Sequence, residues 1–193
     1  MKTIITTVVV FALLLTTSII MGGNRYNHDE ENEHEEHGYK TYSSHNLDVA
    51  VVNNANYAEE CGSCHFAYQP GLLPEKSWVK IMGDLENHFD ENAELDTDLQ
   101  KELTQYLTQN SADKSDYKRS KRIMRALGRS DVPLRITETL YFVRKHDEIP
   151  YNIVKDSKEI GSFSNCTACH TQAEKASFNE HDVKIPGYGR WED

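Results

Sequence analysis

Positively charged residues are in short supply in this chain of 193 residues. It has 21 Lys and Arg against 31 Asp and Glu, which gives a formal net charge of -10. Nucleic acids are bound by basic surfaces that release counterions from the phosphates, so this balance argues against a nucleic-acid partner. A protein partner fits better, and an acidic surface favours a basic or mixed-charge protein whose association is sensitive to salt.

Cysteine is also scarce, and its arrangement excludes several roles. The four cysteines form two C-x-x-C pairs, each followed at once by histidine, in Cys61-Gly62-Ser63-Cys64-His65 and Cys166-Thr167-Ala168-Cys169-His170. No cysteine is left over for a disulfide, and the βαβ pattern that accompanies a thioredoxin-like motif is missing. Zinc ribbons usually have far shorter spacings between their pairs, and zinc would leave both following histidines without a role.

The pattern that is present fits covalent attachment of haem. Two thiols separated by two residues can each add to one vinyl group of a haem, and the adjacent histidine then faces the iron. We therefore predict two haem c groups, with covalent attachment through Cys61, Cys64, Cys166 and Cys169 and with His65 and His170 as proximal iron ligands. Because the chain itself has a modest core, we expect removal of haem to unfold much of it.

The N-terminal region is predicted to direct export. Lys2 precedes an apolar run over residues 4–21, so residues 1–23 read as a signal peptide or an N-terminal membrane anchor. The run is short and diluted by threonines, which favours cleavage, and a membrane tether through residues 4–21 is the alternative. Haem attachment implies export of the chain, so we expect a periplasmic protein, either free or anchored to the inner membrane.

Two further regions follow the leader. Residues 24–47 are strongly acidic and include three histidines, which predicts a disordered tether; capture of a metal by His28, His34 and His37 is the less favoured reading. Residues 48–193 are predicted to form the dihaem cytochrome c domain. A polar loop near residues 110–117 would divide it into two haem-binding halves, about 48–110 and 118–193.

The first candidate distal ligand is His88. Apolar residues recur at helical spacing from Trp78 to Phe89, which places His88 on the apolar face of a predicted helix. An imidazole buried without a partner costs free energy, and an iron ion supplies that partner. Met82, on the same face, is the competing ligand.

The second candidate distal ligand is His146. Residues 135–146 are ambiguous between strand and helix, and Phe142, Val143 and His146 share a face if they are helical. His146 precedes the second motif histidine by 24 residues, while His88 follows the first by 23, so the halves mirror one another. Short connections favour pairing His88 with His65 and His146 with His170. The spare candidates, His45 and His181, have polar surroundings.

Two other helices are predicted between these sites. A capping box of Thr97 and Gln100 opens an amphipathic helix with a stripe of Leu99, Leu103, Tyr106 and Leu107. A basic helix then ends near Gly128 and contains Lys118, Arg119, Lys121, Arg122 and Arg125, with Arg129 beyond it. Such a run is usually a solvated face, although some of these cations could offset haem propionates or dock an acidic partner.

The sequence resembles the bacterial dihaem cytochrome c family over roughly residues 57–186. The similarity extends well past the attachment motifs and is most specific in residues 60–74, 77–78, 88–89, 135–139, 144–146 and 165–170. The resemblance implies a small, mainly α protein with long irregular loops, organised around two covalently bound haems. It also implies a periplasmic electron carrier with two bis-histidine haems, and supports His88 and His146 as the distal pair.

Full ligation of both irons would determine the function. An iron with two histidines has no open position for a substrate, so we expect an electron carrier rather than an enzyme, relaying electrons between redox proteins such as other cytochromes, a haem protein or a reductase. The alternatives are a small dihaem redox enzyme or a gas-binding haem protein with one open iron site. Both require that His88 or His146 be absent from iron.

Overall fold

The computed structural model describes residues 47–190. The predictions for the leader at 1–23, for the acidic tether up to residue 46 and for His45 lie outside the described residues. Within residues 47–190, no helix combines the length and the apolar character that a bilayer crossing requires.

Short helices joined by irregular segments form the described part of the chain. The α-helices are α1 (Ala55–Glu60), α2 (Glu75–Met82), α3 (Thr97–Gln109), α4 (Lys118–Ala126), α5 (Leu140–His146), α6 (Tyr151–Lys155) and α7 (Cys166–Cys169). Six 3-10 turns lie between or after them, at Pro70–Leu72, Leu85–Asn87, Ala112–Lys114, Ile136–Glu138, Ala173–Lys175 and Glu180–Asp182. Strands β1 (Lys184–Ile185) and β2 (Gly189–Arg190) form an antiparallel pair. The prediction of a mainly α fold with irregular loops is confirmed.

Helices α2 and α3 pack together over the largest apolar cluster. As predicted, α3 turns its apolar stripe inward, and Leu103 and Leu107 are almost fully buried. The predicted capping box is wrong by one position, because the carboxylate of Asp96 accepts the N–H groups of the first turn and Thr97 is already helical. The Gln100 side chain instead donates a hydrogen bond of 2.6 Å to the carbonyl of Met82 and ties the two helices together.

The helix after the first motif is shorter than predicted. It ends at Met82, because Gly83 follows and the backbone of Asp84 leaves the helical region with φ -144° and ψ 56°. A 3-10 turn over Leu85–Asn87 then leads to His88, which caps that turn. The prediction that His88 lies on a helix face is therefore wrong.

Helix α5 resolves the ambiguity of residues 135–146 in favour of a helix. The side chain of Thr139 accepts the N–H of Phe142 and caps the N-terminus of α5. Phe142 and His146 lie one turn apart and stack, with ring centroids 3.8 Å apart and planes 12° from parallel. Val143 is 48% exposed, so it faces away from this pair.

Long-range contacts join the segments that carry the two motifs. The carboxylate of Asp48 forms an ion pair with Arg119 at 2.9 Å and accepts the N–H of Phe178 at 2.7 Å. A second apolar cluster draws on distant parts of the chain, namely Val49, Leu72, Ile123 and Ala176. The two motif-bearing segments therefore share buried structure.

Candidate haem sites

The first attachment motif begins where α1 ends. The N–H of Cys61 donates to the carbonyl of Tyr57, and the N–H of Gly62 donates to that of Ala58, both at 3.1 Å. A Cβ atom added to Gly62 would clash with the carbonyl oxygen of Ala58, so only glycine fits this close approach of the backbone. This turn fixes the thiol of Cys61 partly inside the fold and leaves Cys64 exposed.

Site 1 comprises Cys61, Cys64, His65 and His88. The Nδ1–H of His65 donates to the carbonyl of Phe66 at 2.8 Å, which fixes the ring and leaves Nε2 available as a ligand. The ring of His88 faces it, with centroids 6.2 Å apart and planes 20° from parallel. Burial, followed by His65 and Arg135, lowers the pKa of His88, so its imidazole is neutral and suited to binding a metal.

A strained turn directly follows His88 and helps to hold it in this position. The next two residues, Phe89 and Asp90, have φ of 55° and 77°, in the left-handed region that bulky side chains rarely adopt. Two contacts hold the turn: the N–H of Glu91 donates to the carbonyl of His88 at 3.1 Å, and the guanidinium of Arg135 lies 4.1 Å from the centroid of the Phe89 ring. Such strain persists where the surrounding structure enforces it, typically at ligand-binding positions.

Site 2 comprises Cys166, Cys169, His170 and His146. The two cysteines span α7, and the N–H of His170 donates to the carbonyl of Cys166 at 2.8 Å. His146, at the end of α5, donates its Nδ1–H to the carbonyl of Phe142 at 2.9 Å and keeps Nε2 available. The rings of His146 and His170 have centroids 6.1 Å apart and planes at 73°.

A cavity of about 820 Å³ surrounds site 2. Its lining includes both histidines and both cysteines of the site, together with Phe163 and Phe178. This volume and the aromatic lining are typical of a site that encloses a cofactor. Nδ1 of His170 is buried and has no hydrogen-bond partner among the described residues, so this ring, unlike those of His65 and His146, is not oriented by a hydrogen bond at Nδ1. Burial, followed by His146 and Arg119, lowers the pKa of His170 to about 4, so this ring is also neutral. These residues fit a haem.

The thiols are not arranged for the two competing roles. Burial raises the pKa of Cys61 and of Cys166 to about 11, and it also raises the pKa of Cys169. Redox-active thiols have a lowered pKa instead, so these cysteines do not resemble a thiol–disulfide pair. All four cysteines are described, and no group of three or more His, Cys, Asp or Glu side chains in residues 47–190 could hold a metal ion. The two pairs therefore do not combine into one zinc site.

The competing ligand candidates lie elsewhere. Met82 is 4% exposed and belongs to the apolar cluster between α2 and α3. His181 is exposed in the 3-10 turn at Glu180–Asp182, although it borders the cavity of site 2. The two pairs that the sequence favoured, His65 with His88 and His146 with His170, are the ones whose rings lie side by side.

Sequence reasoning missed a residue that connects the two sites. The ring centroid of Tyr68 lies 5.2 Å from that of His65, and its hydroxyl donates a hydrogen bond of 2.6 Å to the carbonyl of Ser164. Ser164 precedes Cys166 by two residues, so Tyr68 touches both sites. Its position three residues after the first motif was a weak signal, because nothing in the sequence indicates a partner 96 residues away.

Comparisons with known proteins show similarity to dihaem cytochromes c. The family model of dihaem cytochrome c matches residues 57–178, a stretch that contains all eight residues of sites 1 and 2. The crystal structure of a diheme cytochrome type c from Shewanella baltica OS155 is 44% identical with a TM-score of 0.61, and the alignment covers 74% of this chain and 100% of that one. A diheme cytochrome c from Rhodobacter sphaeroides is 42% identical with a TM-score of 0.60, over 67% and 100% of the two chains.

A comparison with curated proteins gave no significant match. The family and structure matches nevertheless confirm the predicted resemblance and the predicted cofactors. The chain belongs to the dihaem cytochrome c family, and its cofactors are two c-type haems with iron.

Proposed function

We propose that this protein is a periplasmic electron carrier whose two haem irons are each ligated by two histidines, His65 with His88 and His146 with His170. The observation that carries this proposal is the ring spacing of 6.2 Å in site 1 and 6.1 Å in site 2. Two imidazoles that bind one metal ion from opposite sides, with metal–nitrogen distances of about 2.0–2.1 Å, place their centroids about 6 Å apart. Two independent sites have this spacing.

Full ligation explains why the protein would pass electrons and not transform a substrate. An iron with six ligands offers no position to peroxide, nitrite or oxygen. Ligation by two histidines also avoids the raised potential of Met/His ligation, which favours a low-potential relay. The partners of such a relay are redox proteins, namely other cytochromes, a haem protein or a reductase.

The first test is the absorption spectrum of the dithionite-reduced protein with and without carbon monoxide. We expect sharp low-spin bands of two c-type haems that carbon monoxide leaves unchanged, because both irons are fully ligated. A shift of one haem by carbon monoxide would overturn bis-histidine ligation at that site and favour an enzyme or a gas-binding protein.

A second readout uses the angle between the ligand rings. Near-parallel imidazoles split the iron d orbitals that interact with them, while near-perpendicular imidazoles leave those orbitals almost equal in energy. The ring planes differ by 20° in site 1 and 73° in site 2. Electron paramagnetic resonance of the oxidised protein should therefore show two low-spin ferric signals, one rhombic and one strongly anisotropic. A high-spin signal from either haem would contradict the proposal.

The proposed location follows from export and from the apolar run at residues 4–21. Fractionation of the native host with haem staining tests it. Haem in the soluble periplasmic fraction corresponds to a cleaved leader, and haem in the inner-membrane fraction corresponds to a retained anchor. Haem-bearing protein in the cytoplasm would contradict the proposal.

A further inference from the structure

Positive charge is concentrated in one part of the described chain. Residues 118–146 contain nine Lys and Arg against two Asp and Glu, a net charge of +7. Residues 47–117 have the opposite bias, with four Lys and Arg against fourteen Asp and Glu, a net charge of -10. Helices α4 and α5 lie within the positive segment and pack against each other. The molecule therefore presents a local basic surface despite its acidic total.

A cleft of about 340 Å³ lies at the centre of this surface. It is lined by Ala126, Tyr141 and four exposed cations, Arg122, Arg125, Arg144 and Lys145, which we name the basic cleft. Within residues 47–190, none of these four cations forms an ion pair. Cations held close together without counter-charges repel one another, so the basic cleft attracts an anionic partner.

The basic cleft adjoins the outer side of α5 and shares Arg122, Tyr141, Arg144 and Lys145 with the lining of site 2. Phe142 and His146 are on the inner side of α5 and line the cavity of site 2. Leu140 and Val143, which are 44% and 48% exposed, occupy the outer side next to Arg144. An α-helix with its side chains is about 10 Å across, so a protein bound here lies about one helix diameter from His146.

We propose that the basic cleft and the exposed apolar residues of α5 are the docking surface for an acidic electron-transfer protein, which exchanges electrons with the haem of site 2. This inference rests on the proposed function as an electron carrier and adds the haem that the partner reaches. It replaces the basic or mixed-charge partner expected from the total charge by an acidic one, because the local charge of this face is positive. A small apolar patch edged by charges of one sign allows fast, oriented association. The acidic remainder of the described surface repels the same partner, which makes docking selective for this face.

Haem binding and docking can be separated by the choice of residues. Arg122, Arg144 and Lys145 line the cavity of site 2 as well as the basic cleft, so they can also contact the haem. Arg125 lines only the basic cleft, and Lys121, one turn away on α4, lines neither. Lys121 pairs with the fully solvated Asp116, a contact that contributes little to stability.

The test compares two double charge reversals on the holoprotein. The first variant, Lys121→Glu with Arg125→Glu, changes one residue of the basic cleft and one cation beside it on α4. The second, Lys76→Glu with Lys80→Glu, is the matched control on α2. In each pair, both residues are exposed and lie four positions apart, and the second residue is in the last turn of its helix. Each variant replaces two cations by two anions and takes the net charge from -10 to -14. Overall repulsion is therefore the same in both.

Stopped-flow spectroscopy measures reduction of the oxidised haems by a reduced plant-type [2Fe–2S] ferredoxin, an acidic one-electron donor. At low ionic strength, we expect the α4 variant to react about tenfold more slowly than the α2 variant, with the difference vanishing at high ionic strength. Reduction by photogenerated lumiflavin semiquinone, a small uncharged one-electron donor that is oxidised to lumiflavin, should be the same in both variants, which shows that the haems are intact.

Equal rates with ferredoxin in the two variants would overturn the docking surface, because only total charge would then matter. Slower reduction of the α4 variant by lumiflavin semiquinone as well would also overturn it, since the substitutions would be acting on the haem. A different result would show that the electron-carrier proposal itself is wrong: carbon monoxide would bind to the reduced wild-type protein.

Discussion

The two haem sites use the same attachment motif in opposite environments. In site 1, Cys64 and His65 are exposed and the two histidine rings are near-parallel. In site 2, the two histidine rings are near-perpendicular and line a cavity of about 820 Å³. Charge differs as well: six acidic residues flank the motif and His88 of site 1 in sequence (Glu59, Glu60, Asp84, Glu86, Asp90 and Glu91). The lining of site 2 has six cations (Lys118, Arg119, Arg122, Arg144, Lys145 and Arg190) against four acidic residues (Asp48, Asp147, Glu148 and Glu180). The motif therefore determines where haem is attached, whereas the residues around each haem determine its properties.

The apolar support of the two sites also differs. Site 1 adjoins a cluster of seven buried residues between α2, α3 and the first motif, which includes Trp78 and Leu103. Site 2 adjoins two smaller clusters: one of three residues, Val154, Ile160 and Ile185, and one of four, Val49, Leu72, Ile123 and Ala176, whose Leu72 and Ile123 line the cavity of about 820 Å³. The polypeptide around site 2 therefore depends more on the apolar surface of its haem.

Removal of each haem in turn should give the largest difference. We expect Cys166→Ala with Cys169→Ala to abolish cooperative unfolding of the chain around site 2 and to lower the helical signal. Cys61→Ala with Cys64→Ala should leave a cooperative core, because α2 and α3 bury their own side chains. Haem content, far-UV circular dichroism and thermal unfolding measure this. Equal losses in the two variants would show that the core near site 1 is no more independent than that near site 2.

Removal of each distal histidine should open one iron. We expect His88→Ala and His146→Ala each to convert one of the two low-spin haems into a haem that binds carbon monoxide. Added imidazole should restore the low-spin spectrum faster in the His88→Ala variant, because site 1 is exposed and site 2 is enclosed. Absorption spectra and stopped-flow mixing measure both effects. If a variant remains fully low-spin without added imidazole, the substituted histidine is not a ligand of the iron.

The potentials should differ in a defined direction. Positive surroundings and burial favour the reduced haem, which carries less positive charge, so site 2 should have the higher potential. We expect a gap on the order of 60 mV, a tenfold step in a one-electron equilibrium. In a redox titration followed by electron paramagnetic resonance, the strongly anisotropic signal of site 2 should disappear first.

A pair of matched variants tests which reduction potential belongs to which site. Glu91→Gln removes a charge next to His88 and should raise the potential of site 1 only. Asp98→Asn removes a charge at the start of α3, away from both ligand pairs, and should change neither potential. Disappearance of the rhombic signal first would reverse the assignment of the two potentials.

The smallest expected effect concerns alkaline stability near site 1. Burial, with smaller effects of Tyr106 and Tyr68, raises the pKa of Tyr57 well above its ordinary value, and its hydroxyl donates to the carbonyl of Tyr68 at 2.8 Å. The unfolded chain loses this proton first, so the free energy of unfolding should be steady below about pH 10 and fall above it.

Tyr57→Phe removes that contribution to the pH dependence. The substitution should lower the free energy of unfolding by about 1 kcal/mol at neutral pH, because a hydrogen bond is lost. Above pH 10, the free energy of unfolding of the variant should fall less steeply than that of the wild type. Denaturant titrations between pH 8 and 11 measure both, and Tyr151→Phe, at a 66% exposed position, is the control. Identical pH slopes in the wild type and Tyr57→Phe would contradict this role for Tyr57.

Features that depend on neighbouring residues were predictable from the sequence. The C-x-x-C-H motifs, the apolar stripe of α3 and the shared face of Phe142 and His146 each follow from covalent chemistry or helical periodicity. The motifs alone predicted the two haems, and family resemblance added the fold class. The pairing of His88 with His65 followed from a short connection, and these rings do lie together.

Features that depend on tertiary contacts were not predictable. Apolar spacing continues past Met82, but the helix stops there, and a turn with positive φ at Phe89 and Asp90 carries His88. Arg135 supports that turn from 46 residues further along the chain. The cap of α3 shifted to Asp96 because its carboxylate reaches two N–H groups of the first turn, a competition that pattern matching does not weigh.

The hydrogen bond from Tyr68 to Ser164 has a consequence for electron tunnelling. The probability of tunnelling falls steeply with the width of the gap, so thermal motion between two electron-holding groups would make their exchange irregular. Tyr68 packs against His65 and donates a hydrogen bond of 2.6 Å to the carbonyl of Ser164, two residues before the second attachment motif. This link between the two attachment segments limits changes in the gap that an electron would cross.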